Sequence, residues 1–305
     1  MRVVLLFIDG FGLGSTNPGI NPIVRFGLPT MEKLFGRPLT AEMAFTLAPE
    51  RCIVPLDATL GVPGLPQSAT GQAAILTGLN TARAMGRHLQ AFPGPQLAGI
   101  ITENNIMRRL AQAGLPATSA NMYTPNYFEL VANRKRRHSA ITLAALSTGM
   151  RLRSLPEMHS NEAVYQDITN AALPEWGVHG LPVLSPSQAA GNLVNISRKY
   201  SFTIFEYFQT DRAGHKQDWQ AAAAILALLD AFIGAVYEQL PAATLLIITS
   251  DHGNFEDMSI KTHTLNKVPL IALGCQAQAA VGAITDLTGI APAIAAVLGK
   301  DDPCD

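Results

Sequence analysis

Three aspartates stand at the C-terminal ends of apolar runs in this 305-residue chain, and histidines stand close to two of them. Val3 to Ile8 leads into Asp9 and the turn Gly10-Phe11-Gly12-Leu13-Gly14. Phe202 to Phe208 leads to Asp211 and, four residues on, His215. Thr244 to Ser250 leads to Asp251 and His252, and His263 precedes a further apolar run from Val268. A glycine turn after a first strand can cradle a pyrophosphate, but that loop is spaced G-x-G-x-x-G, whereas this one is G-x-G-x-G and carries a carboxylate at its start. Asp9 alone is read as a turn cap or as a metal ligand. Three aspartates and three histidines predicted at one edge favour the metal: mixed imidazole and carboxylate ligation suits Zn or Mn better than Ca. Six ligands exceed the needs of one structural zinc, so the set predicts two divalent ions, Zn or Mn, with Mg as a further choice. Three carboxylates against two such ions leave a formal charge of about +1, which attracts a phosphate dianion and the charge that develops as it is transferred.

Phosphoryl transfer calls for a nucleophile, and "GLPQSATGQAAILTG" offers Ser68 and Thr70 at the start of an Ala, Ile and Leu rich helix. A helix N-terminus presents unpaired N–H groups to an anion, and a metal ion lowers the pKa of a hydroxyl beside it. Either residue can instead be a plain N-cap.

The elements that must position these groups are strands alternating with helical stretches. They predict an α/β fold, a doubly wound, mostly parallel sheet with helices on both faces, whose functional crevice lies beyond the strand C-termini. Between residues 80 and 160 ten Lys and Arg face only three Glu, in a chain whose net charge is -1. Residues 84–195 are accordingly expected to form a small inserted cap that selects the substrate, and 1–83 with 196–305 a discontinuous metal-binding core. Within the cap, Arg134 to Arg137 is a solvated turn or a contact for a phosphorylated substrate. Arg87, His88, Arg134 and Arg136 are the candidate substrate-binding residues.

The near-neutral charge, and a short basic run with no aromatic partners nearby apart from Tyr123, Tyr127 and Phe128, argue against a nucleic-acid partner. The apolar stretch from Ala221 to Leu240 is interrupted by Asp230 and carries Glu238, so it is expected to be a packed core helix with no membrane partner. No secretory segment is evident, because only six apolar residues follow Arg2 before Asp9. Three scattered cysteines, Cys52, Cys275 and Cys304, are read as reduced thiols, and a cytoplasmic location is expected. Composition and spacing leave the oligomeric state open.

"FIDGFG", "QSATGQ", "DRAGH" and "SDHGNFEDM…THTLNKVPLI" resemble the metal-binding blocks of the alkaline phosphatase superfamily, most closely those of cofactor-independent phosphoglycerate mutase and phosphopentomutase. The resemblance covers roughly 1–83 and 196–305. It implies one metal held by Asp9, Ser68, Asp251 and His252, and a second held by Asp211, His215 and His263, with Ser68 in the nucleophile's register. The mutase pattern N-S-E-V-G-H stands here as Q-S-A-T-G-Q, which puts Gln72 in place of a histidine and keeps Thr70 as the alternative nucleophile. The expected activity is a two-metal phosphohydrolase acting on a small phosphate ester through a phosphoseryl intermediate. A phosphomutase and a catalytically silent metal-binding or regulatory protein are the alternatives.

Overall fold

A computed structural model describes residues 1–43 and 46–299. Its frame is one sheet of seven strands: β1 (Arg2–Ile8), β2 (Thr46–Ala48), β3 (Arg51–Leu56), β4 (Ala117–Ser119), β5 (Phe202–Tyr207), β6 (Thr244–Thr249) and β7 (Val268–Gly274), in the order β2-β3-β7-β6-β1-β5-β4. The unbroken apolar run of β1 reflects cover on both faces. Val3, Leu5 and Phe7 pack with the helices Ser68–Thr77, Pro95–Asn104 and Ile290–Leu298. Val4, Leu6 and Ile8 pack on the opposite face with the helices Pro186–Ser197 and Trp219–Gln239. The period-2 alternation of β1 thus divides the interior into two layers, each buried residue of this kind contributing about 1.5–3 kcal/mol of transfer free energy.

The expected α/β sheet with helices on both faces is present, and its strand pairing is mixed. β1 runs parallel to β5 and β6, and β4 parallel to β5, but β7 is antiparallel to both β6 and β3, and β2 antiparallel to β3. The reason lies between β6 and β7. A parallel return needs a crossover of a dozen or more residues, usually a helix; the stretch after Thr249 contains no helix among the described residues and loops back directly into β7.

The expected division into core and cap also needs correction. β4 lies inside 84–195 yet pairs with β5, and Leu97, Ile101, Ile106, Ile141 and Ala144 of that stretch share a buried cluster with β1. Much of the segment is therefore part of the main body. What stands apart is a small cluster of Met122, Met158, Ala163, Tyr165, Leu173 and Val178. Helix Trp219–Gln239 is long and apolar enough to cross a membrane by length and composition. In this fold it packs against helix Pro186–Ser197, and its buried Asp230 accepts the N–H groups of Thr30 and Met31, capping the helix Pro29–Phe35. Cys52 is a buried free thiol. Cys304 lies outside the described residues.

Candidate metal centre and cleft

The parallel trio β5, β1 and β6 delivers its three aspartates to one edge. Asp9 follows β1 and is fixed by its N–H to the Tyr207 carbonyl at 2.9 Å. Asp251 follows β6. Asp211 sits in the first turn of the helix Gln209–Lys216, one turn ahead of His215, so the D-x-x-x-H spacing is realised on a helix face. Gly10 adopts φ +68°, and a Cβ there would lie 2.8 Å from Asp211 Oδ1. Only glycine combines that backbone angle with such an approach.

Ser68 opens the helix Ser68–Thr77, with its Oγ 3.0 Å from His252 Nε2. The same nitrogen lies 3.3 Å from Asp9 Oδ1 and 3.6 Å from Asp251 Oδ2. On the other side, Asp211 Oδ2 is 3.4 Å from His215 Nε2, Asp211 Oδ1 is 3.6 Å from His263 Nε2, and the two imidazole Nε2 atoms are 3.2 Å apart. The His263 ring stacks on His252 with centroids 3.7 Å apart. All seven residues expected at the centre are brought together. The division into two sets is less sharp than expected, because His252 belongs both with Asp9 and Asp251 and with Asp211 and His263.

The donor set fits divalent cations. His263 Nδ1 lies 2.8 Å from the Pro66 carbonyl and His215 Nδ1 2.7 Å from the Lys261 carbonyl. A carbonyl can only accept, so each ring carries its proton on Nδ1 and turns an Nε2 lone pair inward. Buried Asp9 Oδ1 and Asp251 Oδ2 have no hydrogen-bond partner; one His252 N–H cannot serve three neighbouring oxygens. Burial and the Asp9 charge push Asp251 and Asp211 above the usual carboxylate range. Burial opposes a charge on His252, but Asp251 and Asp9 more than offset it and lift its pKa to about 10. Burial and the neighbouring His252 hold His263 down at about 4. Positive charge at the centre would relieve the crowded carboxylates.

Two residues of the D-H-G-N-x-E block that were given no role turn out to brace the centre. Fully buried Glu256 accepts from the N–H groups of Gly12 at 3.0 Å and Asn254 at 2.8 Å, from Thr264 Oγ1 at 2.5 Å and from Asn266 Nδ2 at 3.0 Å. Asn254 Nδ2 donates to Asp211 Oδ1 at 2.8 Å. The turn after β1 is thereby tied to the loops before β7. The signal was available: a charged residue between glycine-rich and apolar segments is one that needs several internal partners.

A cleft of about 660 Å³ opens on Asp9, Ser68, Asp211, His215 and His263. Thr70 is not on it: its hydroxyl donates to the Gln67 carbonyl and accepts from the Leu89 N–H, each at 3.2 Å. Of the expected substrate-binding residues only Arg136 lines the cleft; Arg87, His88 and Arg134 do not. His88 Nε2 instead lies 3.2 Å from the Val62 carbonyl. Arg137, the last residue of the basic run, also lines it, as do Arg212, which was given no role, and Gln72, whose buried Oε1 lacks a partner. Glu206 of β5 also reaches the cleft, and burial together with Asp9 pushes its carboxyl up to about 8.

Residues 185–302 match the model of the Metalloenzyme superfamily. A 2,3-bisphosphoglycerate-independent phosphoglycerate mutase of Methylobacillus flagellatus is 32% identical over 116 residues, which are 35% of this chain and 22% of that protein. A protein of the same description from Serratia proteamaculans is 34% identical over 134 residues, 39% and 26% of the two chains. The chain thus spans about a quarter of the length of these relatives. Across 99% of this chain and 98% of the other, the fold matches an alkaline phosphatase from the Antarctic bacterium TAB5, with a TM-score of 0.55 at 13% identity. A Leishmania mexicana phosphoglycerate mutase matches over 100% and 96%, with a TM-score of 0.50 at 10% identity. The segment that carries Asp211, His215, Asp251, His252 and His263 thus matches the Metalloenzyme superfamily, and the chain has the fold of these alkaline phosphatase and phosphoglycerate mutase structures.

Proposed function

We propose that the protein is a phosphohydrolase that uses two divalent ions, Zn or Mn, and passes the phosphoryl group through Ser68. The observation that carries this reading is the Ser68 hydroxyl at a helix N-terminus, 3.0 Å from His252 Nε2 and facing the Asp and His nest at the floor of the cleft. Asp9, Ser68, Asp251 and His252 would hold one ion and Asp211, His215 and His263 the other, with His252 placed between the sets. Bound divalent ions supply Lewis acidity there, favouring the Ser68 alkoxide and offsetting charge on the transferring oxygens.

Ser68 Oγ loses its proton to solvent and attacks phosphorus, the Oγ–P bond forms, and the bond from phosphorus to the substrate alcohol breaks with its electron pair on the alcohol oxygen, which takes up a proton from solvent. Water then attacks phosphorus and gives up a proton, the Oγ–P bond breaks, and phosphate departs as Ser68 Oγ regains a proton. The helix dipole of Ser68–Thr77 favours an anion at this end. Arg136, Arg137 and Arg212 offer positive charge along the cleft to the ester. Thr70, held by Gln67 and Leu89, keeps the helix start in place.

A phosphomutase is the second reading, favoured by the name of the curated relatives. The two are separated by supplying a phosphate monoester with Zn or Mn and following the phosphoryl group. Free phosphate, lost in Ser68→Ala, supports the hydrolase; return of the group to another hydroxyl of the same molecule supports the mutase. Release of phosphate that survives Ser68→Ala overturns both assignments of the nucleophile.

A further inference from the structure

Phosphate chemistry accounts for the carboxylates, imidazoles and arginines of the cleft but not for its rings. Phe92, Tyr123, Tyr127, Tyr165, Trp176 and Phe208 all line it. Tyr123 and Tyr127 have their hydroxyls engaged, with Thr142 Oγ1 at 2.9 Å and His138 Nδ1 at 2.7 Å, so they offer a ligand ring surface rather than hydrogen bonds. Tyr127 and Tyr165 belong to buried apolar clusters and have a packing role. Phe92, Trp176 and Phe208 belong to none of the three clusters, and Trp176 is 38% exposed. Core packing therefore does not explain why three large apolar rings border an open cleft that also carries the Asp, His and Arg side chains.

Two arginines extend the same surface. The Arg136 guanidinium lies over the Tyr127 ring at 5.3 Å, and that of Arg137 over Phe92 at 5.9 Å. A guanidinium plane on an aromatic ring can face a phosphate with its edge and a planar ligand with its face. The volume of about 660 Å³ falls in the roughly 300–1,000 Å³ range of sites that enclose drug-sized ligands. A short hydroxylated ester would leave the rings wet; a planar aromatic group would cover them.

We propose that the ester handled at this site carries a planar aromatic group of nucleobase size, stacked on the rings that line the cleft, Phe92 and Trp176 among them, as in a nucleoside 5′-monophosphate. This rests on the reading of Ser68 as the phosphoryl acceptor. It adds that recognition comes from the alcohol's ring, with the phosphate common to all substrates.

AMP and ribose 5-phosphate test it, because the alcohol that leaves is chemically the same in both and only the base differs. With the Zn- or Mn-loaded protein, kcat/KM for AMP is expected to exceed that for ribose 5-phosphate by about 5- to 150-fold, the range of base stacking on a protein ring. In the Phe92→Ala, Trp176→Ala double variant the ratio should fall toward one. A binding readout stands beside turnover: the chain has two tryptophans, so in Trp219→Phe only Trp176 fluoresces, and AMP should quench it where ribose 5-phosphate does not. Equal turnover of the two esters without quenching overturns the proposal and leaves the Ser68 reading intact. Quenching by AMP with neither ester hydrolysed upholds the ring site and overturns the Ser68 reading. No turnover and no quenching overturns both.

Discussion

The two kinds of residue that line the cleft are held in opposite ways. At the floor, each functional side chain is held by partners from distant parts of the chain: Asp211 by Asn254, His263 by Pro66, His215 by Lys261, and the β1 turn by Glu256. Among the rings, Phe92, Trp176 and Phe208 stand outside the buried clusters, and Trp176 is substantially exposed. A centre that must hold charges at fixed distances needs every supporting group in place. A surface that covers an apolar ligand tolerates adjustment, because stacking and burial are weakly directional. Substitutions should therefore act abruptly at the floor and gradually at the rings.

The largest break is expected at the nucleophile. Ser68→Ala should lower turnover by several orders of magnitude, whereas Thr70→Ala, which removes only hydrogen bonds to Gln67 and Leu89, should cost about tenfold or less. Rates of both variants at matched metal occupancy check this, and equal losses would contradict it. Next comes the brace. Glu256→Ala strands four donors, each worth roughly 1–3 kcal/mol when left buried and unpaired. It should destabilise the fold by about 3 kcal/mol or more and weaken metal binding ~10- to 100-fold. Denaturant unfolding and metal titration measure both, and a loss under about 1 kcal/mol would show that the loops hold without it.

A smaller effect concerns pH. Asp211 and Asp251, pushed up by burial and by Asp9, bind protons more readily folded than unfolded in the metal-free protein. Their contribution favours folding at acid pH and is lost as pH rises through the native values. Stripped protein should thus be penalised at neutral pH, where Zn or Mn also binds best because its ligands are deprotonated. At 100 times Kd each site should add about 2.7 kcal/mol, read as a melting shift that is larger at pH 7.5 than at pH 5; the reverse order would contradict the account. The smallest effect is expected at His88→Ala and Arg134→Ala. Neither residue lines the cleft, so stability should change by about 0.5 kcal/mol or less and turnover by less than twofold, checked beside Arg136→Ala.

The floor was legible because its signal is local. An apolar run ending in Asp, with His a helical turn away or adjacent, can be read without knowing the fold, and β1, β5 and β6 bring those ends together. The direction of β7 was not legible: it depends on the helix-free path after Asp251, and an apolar run such as Val268 to Leu273 looks the same in either direction. β4 escaped because Ala117–Ser119 is three residues with no alternation to detect, and missing it made residues 84–195 look separate. Glu256 was visible but unassigned, since its partners come from Gly12, Thr264 and Asn266 as well as its own loop. The arginines misled for a related reason: Arg134 and Arg136 are two residues apart, and only the fold decides which of them meets the cleft.

The central claim is that Ser68 accepts the phosphoryl group at the Asp and His floor. Its most direct test is to quench the Zn- or Mn-loaded protein during turnover of a phosphate monoester and map covalent phosphate by mass spectrometry. The account predicts phosphate on Ser68, absent from the metal-stripped protein. Phosphate on Thr70, or a Ser68→Ala protein that turns over the ester at a near-normal rate, would contradict it.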